Sequence, residues 1–383
     1  MISSSDLLNI SQKFGTPIYV YDGNLIQQKF KNLQKHFQDF PHVIHYAMKA
    51  NENPEILKIL KKNGAKIDAV STGEIQRALD IGFPPEDIIF TPSFPDFDEI
   101  DFAIAQNIHL HAGELYILDY LLKNYPKLSI GLRINPAYSI EGNQKIATAH
   151  QNSKFGIPLT DLDIILQKIK GKLRVESLHI HTGSDVKTWE DLAYSADVLF
   201  DLLPKFPDVK YLDLGSGFKV KYQKNDNSID LNAYAHFIKS RLNDIPRNLT
   251  IHFEPGKYLV SEAGYLLVKI NGLKQGYQKK FAGVNSGFHH LIRPMYYDAY
   301  HEIVNLSNPN GKLETYDIVG QLCEEDTLAY DRQISEIKPQ DILAIKNAGA
   351  YGFSMSSHYN LHAKPKEILV LDNQIKDISQ TCL

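Results

Sequence analysis

A lysine, a histidine, a serine between two glycines and a glutamate each stand at the end of an apolar run in this 383-residue chain. Lys49 closes VIHYAMK, His181 lies in HIHTGSD (179–185), Gly215, Ser216 and Gly217 follow KYLDL, and Glu254 opens EPGK (254–257). Asp68 and Ser71 mark the end of a further run, KIDAV. Taken singly, each has an ordinary reading: a lysine reaching solvent, a satisfied core histidine, a tight turn, a solvated loop carboxylate. Taken together they have the chemistry of a pyridoxal phosphate site. The lysine would form the Schiff base, and the N–H groups of the glycine loop would hold the dianionic phosphate. The histidine would stack on the ring. A carboxylate beside the ring nitrogen keeps it protonated and makes the ring an electron sink, which suits decarboxylation. An arginine in that place would favour racemisation.

For these groups to meet, the runs must be strands of one sheet. There are eight of them: 43–48, 66–70, 88–91, 108–112, 128–135, 175–181, 210–214 and 250–253. Stretches of helical periodicity separate them, among them EIQRALDIG (74–82), LYILDYLLKNY (115–125) and LNAYAHFIKSRL (231–242). Alternating strand and helix implies a parallel sheet with helices outside it. Eight units over residues 22–256 match a TIM-like (β/α)8 barrel, in which functional groups collect at the C-terminal strand ends. A doubly wound open sheet of six or seven strands is the alternative. After residue 257 the texture becomes short, β-rich and turn-separated, so 257–383 reads as a C-terminal all-β domain. Residues 1–21, with the strand-like TPIYVYD beginning at 16, are expected to join it.

Composition narrows the partners. A hydrophobic share of 43% against 22% charged supports a folded core. The net charge of −4 gives no reason to expect nucleic acid or an anionic membrane. No run approaches the ~18 apolar residues of a membrane span, and the first residues lack the pattern of a secretory signal. The only cysteines are Cys323 and the penultimate Cys382, which excludes a disulfide framework and fits a reducing cytoplasm. No Cys/His cluster has metal-site spacing, so no metal is expected.

Across nearly its whole length the chain resembles the fold-type III pyridoxal-phosphate decarboxylases. The motifs are YAMKAN (46–51), HIHTGS (179–184), DLGSG (213–217) and EPGK, followed by NSGFHHLIRPMYYDAYH (285–301), QLCEED (321–326) and GAYGFSMSSHYN (349–360). The resemblance implies pyridoxal 5'-phosphate on Lys49, with His181 stacked on its ring and Glu254 at its nitrogen. It implies Ser184, Gly215, Ser216, Gly217 and Tyr351 around the phosphate. Lys257, Arg293, Tyr297, Glu324 and Tyr351 are implied as substrate contacts, and Cys323 as the group acting at the α-carbon from the neighbouring subunit of a homodimer. The FSMSS run points to decarboxylation of meso-2,6-diaminopimelate to L-lysine and CO2, the last step of lysine biosynthesis. The alternatives are a sister decarboxylase of ornithine, lysine or carboxynorspermidine, or a non-catalytic pyridoxal-phosphate-binding relative. The chain departs from the family in having Lys257 where arginine is usual, GSG for GGG, and a shortened EEDTL after Cys323. Lys257 keeps the charge but loses the bidentate fork.

Overall fold

The computed structural model describes residues 2–138, 148–223 and 225–380; Cys382 lies outside them. Strand β1 (Ile18–Asp22) comes first. It is followed by β2 (His42–Ala47), β3 (Lys66–Ala69), β4 (Ile88–Phe90), β5 (His109–Ala112), β6 (Ser129–Asn135), the two-residue β7 (Ile157–Pro158), β8 (Arg174–His179), β9 (Tyr211–Asp213) and β10 (Thr250–Phe253). Strands β2 to β6 pair in sequence, β8 adds to β6, β9 to β8 and β10 to β9, all parallel. The parallel pairing of β10 with β2 closes the ring and excludes the open sheet. A short turn, Met48–Ala50, carries Lys49 just past the end of β2. His181 likewise stands two residues beyond β8 rather than within it. Helices follow the strands, several of them begun by a side-chain cap. Asn53 caps Pro54–Lys62, Thr188 caps Trp189–Leu202, and Ser71 caps Thr72–Asp80 by accepting from Glu74 N at 3.2 Å.

The second sheet holds β11 (Gly264–Gln275), β12 (Lys280–Val284), β13 (Ile303–Asn305), β14 (Leu313–Val319), β15 (Thr327–Ser335), β16 (Ile342–Ile345), β17 (Lys366–Leu371) and β18 (Gln374–Asp377). Strand β1 lies inside it, antiparallel to β11 and parallel to β17. The chain is therefore a closed barrel plus a separate domain built on a mixed sheet. One element escaped the sequence reading: a helix at Ser4–Phe14, begun by Ser3 accepting from Asp6 N and burying Leu7 and Ile10. No helix among the described residues is long and apolar enough to cross a membrane.

The barrel interior is unexpectedly polar. His45, His109, His111, His179 and His252 line it with Tyr211. His45 Nε2 meets His252 Nδ1 at 3.1 Å, His111 Nδ1 meets Thr91 Oγ1 at 3.0 Å, and His252 stacks on Tyr211 at 3.9 Å. Gly131 makes room for them: a Cβ there would fall 2.1 Å from the His111 ring and 2.3 Å from Ser177 Oγ. Burial pushes every one of these imidazoles down, His45 to about 3 and His109 to about 4. An unfolded histidine binds its proton near pH 6.5, whereas these folded ones stay neutral well below that. The unfolded state then holds more protons, so stability falls as pH drops below about 6.5, by about 1.4 kcal/mol per pH unit for each histidine. Replacing the buried pair (His45→Gln with His252→Gln) should flatten the dependence of urea stability on pH between 6.0 and 5.0 by about 2.7 kcal/mol per pH unit. An unchanged slope would mean that the pair is already charged in the fold.

Candidate active site

At the C-terminal mouth of the barrel lies a cavity of about 390 Å³, and Lys49, His181, Ser184, Ser216, Gly217, Glu254, Lys257 and Tyr351 all face it. The Lys49 turn and the EPGK loop are packed together. Ala47 N donates to Pro255 O at 3.2 Å, and a Cβ on Gly256 would fall 3.0 Å from that of Ala50 and 3.1 Å from that of Ala47. Lys49 Nζ bonds Asp68 Oδ2 at 2.7 Å. Burial alone would lower its pKa, but Asp68, Tyr351 and Glu254 outweigh that and hold the ammonium above the ordinary lysine value.

Gly215 and Gly217 have positive φ, +59° and +93°. A Cβ on Gly215 would meet His181 Nδ1 at 2.6 Å, and one on Gly217 would meet Gly183 O at 2.3 Å. Only glycine fits at either position. Ser216, between them, has room for its side chain, and its Oγ donates to Glu254 O at 2.8 Å. The backbone of Glu254 in turn donates to Gly215 O at 2.8 Å. The glycine loop and the glutamate are thus one unit, and the change from GGG to GSG adds a brace.

Glu254 is buried. Its Oε2 lies 3.0 Å from His179 Nε2, and burial, with Arg133 beside it, keeps that imidazole neutral, so it donates to the carboxylate. Asp213 sits on the other side, its Oδ1 accepting from Gly215 N at 2.9 Å. Burial first, and then the nearby Glu254, push Asp213 well up from the usual carboxylate range. Glu254 Oε1 is buried with no partner. An orphaned carboxylate oxygen on the cavity wall, with a lysine and a flat histidine lining the same cavity, fits a protonated ring nitrogen. These residues fit pyridoxal phosphate.

A second chamber of about 450 Å³ opens from the first and shares Thr148, His181, Ser184, Lys257 and Tyr351 with it. Arg293 and Tyr297 line only this outer space. Arg293 is buried; its Nη1 donates to His301 Nε2 at 3.1 Å, its Nε has no partner, and its guanidinium lies over the Tyr222 ring at 5.1 Å. Burial first, and then Arg293, push His301 down to about 3, so it stays neutral. No carboxylate among the described residues pairs with Arg293. Lys257, by contrast, is ion-paired with Asp185 at the junction of the two chambers.

Two expected residues are elsewhere. Cys323 is an exposed free thiol, and the Glu324 carboxylate accepts from Tyr359 O–H at the surface. Neither lines a chamber of its own chain. Three residues were missed: His179, Asp213 and Arg133, the last lining the inner cavity beside Phe155. Their signals were an arginine inside an otherwise apolar strand, and a histidine two positions before His181, on the same face of the strand.

A family model for the pyridoxal-dependent decarboxylases, pyridoxal binding domain, matches residues 24–261. The chain belongs to the pyridoxal-dependent decarboxylases. It is 35% identical to the diaminopimelate decarboxylase of Aquifex aeolicus, covering 98% of this chain and 91% of that one. It is 34% identical to the Campylobacter jejuni diaminopimelate decarboxylase, covering 98% and 96%. The crystal structure of Helicobacter pylori diaminopimelate decarboxylase complexed with L-lysine superposes with a TM-score of 0.90 at 32% identity, over 98% of this chain and 96% of that one. A Vibrio vulnificus lysine/ornithine decarboxylase complexed with putrescine shares the fold, with a TM-score of 0.85 at 19% identity over 98% of this chain and all of that one. As a decarboxylase of this family, the chain is a carboxy-lyase that uses pyridoxal phosphate.

Proposed function

We propose that this decarboxylase converts meso-2,6-diaminopimelate to L-lysine and CO2. The observation that carries the substrate is Arg293, a buried guanidinium without a counter-ion among the described residues, lining the chamber beyond the cofactor cavity. Leaving such a charge unpaired is costly, and a substrate bearing a second carboxylate relieves it with a bidentate contact. Ornithine and lysine have no group to offer there. The similarity to enzymes named for diaminopimelate supports the same reading.

The cofactor, once bound, supplies an electron sink for the pair of electrons left behind by CO2. The protein's own groups do the rest. Lys49 would hold the cofactor through its amine. Glu254, steadied by His179 and Asp213, holds the proton on the ring nitrogen. His181 backs the ring, and the Gly215–Gly217 loop with Ser184 and Tyr351 holds the phosphate. Lys257, Tyr297 and Arg293 orient the outer half of the substrate. Cys323 and Glu324 complete the site from a second copy in a homodimer, a reading supported by their exposure and by their distance from the chambers of their own chain. The barrel is read as residues 22–256 and the second domain as 1–21 with 257–383, in a cytoplasmic enzyme.

Product analysis tests the substrate. The protein, supplied with pyridoxal phosphate, is given meso-diaminopimelate, ornithine, lysine and carboxynorspermidine in turn. Lysine and CO2 from the first alone are expected. Turnover of another substrate instead would move the chain to a sister activity. For the shared site, Cys323→Ser and Lys49→Ala proteins, each inactive alone, should regain activity when mixed and allowed to exchange subunits, because one site of the hybrid then has both groups. No recovery would place Cys323 outside the site.

A further inference from the structure

The turn that carries Lys49 is held from outside the barrel. Ala50 O accepts from Tyr351 N at 2.8 Å and from Ser354 Oγ at 3.3 Å. Asn51 Nδ2 donates to Gly349 O at 3.1 Å. Asn53 Nδ2 donates both to Ile378 O at 3.1 Å and to Glu367 Oε2 at 2.9 Å. Its Oδ1 accepts from Glu55 N at 3.0 Å, so both donors and the oxygen of that amide are engaged. All five of those partners, from Gly349 to Ile378, belong to the second domain or the loop leading into β17.

Glu367 is the one charged group among them. It projects from β17, is 1% exposed, and its other oxygen accepts from Tyr21 O–H at 2.8 Å. Its backbone N–H is taken by Ser379 Oγ at 2.9 Å. A carboxylate is a costly way to accept two hydrogen bonds in a buried place, because ionising it there opposes folding. Its location accounts for the expense: it reaches across the domain boundary to the residue that ends the Lys49 turn and begins the next helix.

We propose that Glu367 is a positioning residue for Lys49, fixing residues 49–53 through Asn53 and so setting where the amine stands in the cofactor cavity. This rests on the reading of Lys49 as the cofactor's lysine. The titratable groups facing Glu367 are Tyr19 and Tyr21 on β1, Glu52 in the turn itself, and Lys364 ahead of β17. Burial raises Glu367 to about 7, against the pull of Asn53 and Tyr21, with Glu52 adding to the rise. Above that pH the carboxylate accepts from both neighbours. As pH falls through it, the group takes a proton and its hold on Asn53 or on Tyr21 weakens.

The test is amide hydrogen exchange over residues 46–57 in cofactor-free protein, corrected for the intrinsic effect of pH, with cofactor affinity and the visible spectrum of the loaded enzyme measured alongside. Glu367→Ala should speed exchange in that segment about tenfold, as expected for losing one hydrogen bond to a charged group. The distant strands β4 and β5 should be unaffected, cofactor binding should weaken, and kcat should fall with little change in KM. Glu367→Gln, which still offers Asn53 an oxygen, should restore protection and abolish its pH dependence between 6 and 8. Tyr21→Phe removes a donor that stabilises the carboxylate, so the midpoint should move to higher pH. Protection of 46–57 unchanged in Glu367→Ala, or loosened equally throughout the molecule, overturns the proposal. Should that variant not fold, an unmoved midpoint in Tyr21→Phe does so. Exchange is read without cofactor, so failure here is separable from failure of Lys49 as the cofactor's lysine.

Discussion

Lys49→Ala protein, saturated with pyridoxal phosphate, is expected to lose activity by about four orders of magnitude or more, the usual scale for removing a covalent catalyst. It should still bind the cofactor, because the glycine loop and Glu254 are untouched, but borohydride should no longer fix it to the chain. The parent carries a further signature. Its amine is ion-paired with Asp68 and held protonated above the ordinary lysine range, whereas only the neutral amine attacks a carbonyl. Attachment of cofactor to cofactor-free protein should therefore speed up about tenfold for each pH unit between 7 and 9. Asp68→Asn should shift that rise to lower pH, since it removes the strongest group holding the proton. Retained activity in Lys49→Ala, or cofactor fixed at another lysine, would show that the anchor lies elsewhere.

Removing the guanidinium in Arg293→Met should lower kcat/KM for diaminopimelate by about a hundred- to a thousandfold, chiefly through KM. Two charge-assisted hydrogen bonds at about 1.5–3 kcal/mol each set that scale, part of it offset because the variant no longer buries an unpaired charge. The offset sharpens the comparison with lysine as a substrate. In the parent, lysine leaves the buried arginine without a partner and should be turned over very slowly, since sites built for a polar group reject analogues lacking it. In the variant that penalty is gone and the ratio between the two substrates should narrow sharply. A variant that handles diaminopimelate as the parent does would place the distal carboxylate against another cation, with Lys257 at the chamber junction the first to examine.

The fold was legible because a parallel barrel buries both faces of each strand, so its strands stand out as short runs rich in apolar and β-branched residues closed by turns. Lys49, the glycine loop and Glu254 were legible for the same reason: each is the first polar or glycine feature after such a run. His179, Asp213 and Arg133 were not, because a residue inside a strand shows its direction only once the register is known. The effect of Glu254 on Asp213 depends on two strands adjacent in space but distant in sequence. The helix at 4–14 was missed because its apolar face is narrow, Leu7 and Ile10 against one wall. Cys323 and Glu324 line neither chamber of their own chain, so one sequence gives no register or burial signal that would locate them.

Strand β1 has a consequence for how the molecule is made. It leaves the ribosome ahead of the barrel, yet both of its neighbours, β11 and β17, lie after the barrel in the sequence. At elongation speeds of about 5–20 residues per second, roughly 20 to 70 seconds separate the synthesis of β1 from that of β17. All five of its residues end up buried, so through that interval β1 has two open edges and neither of its strand partners. The enzyme's second sheet thus joins its first strand to its last ones, and the full pairing of β1 is possible only when translation is nearly complete.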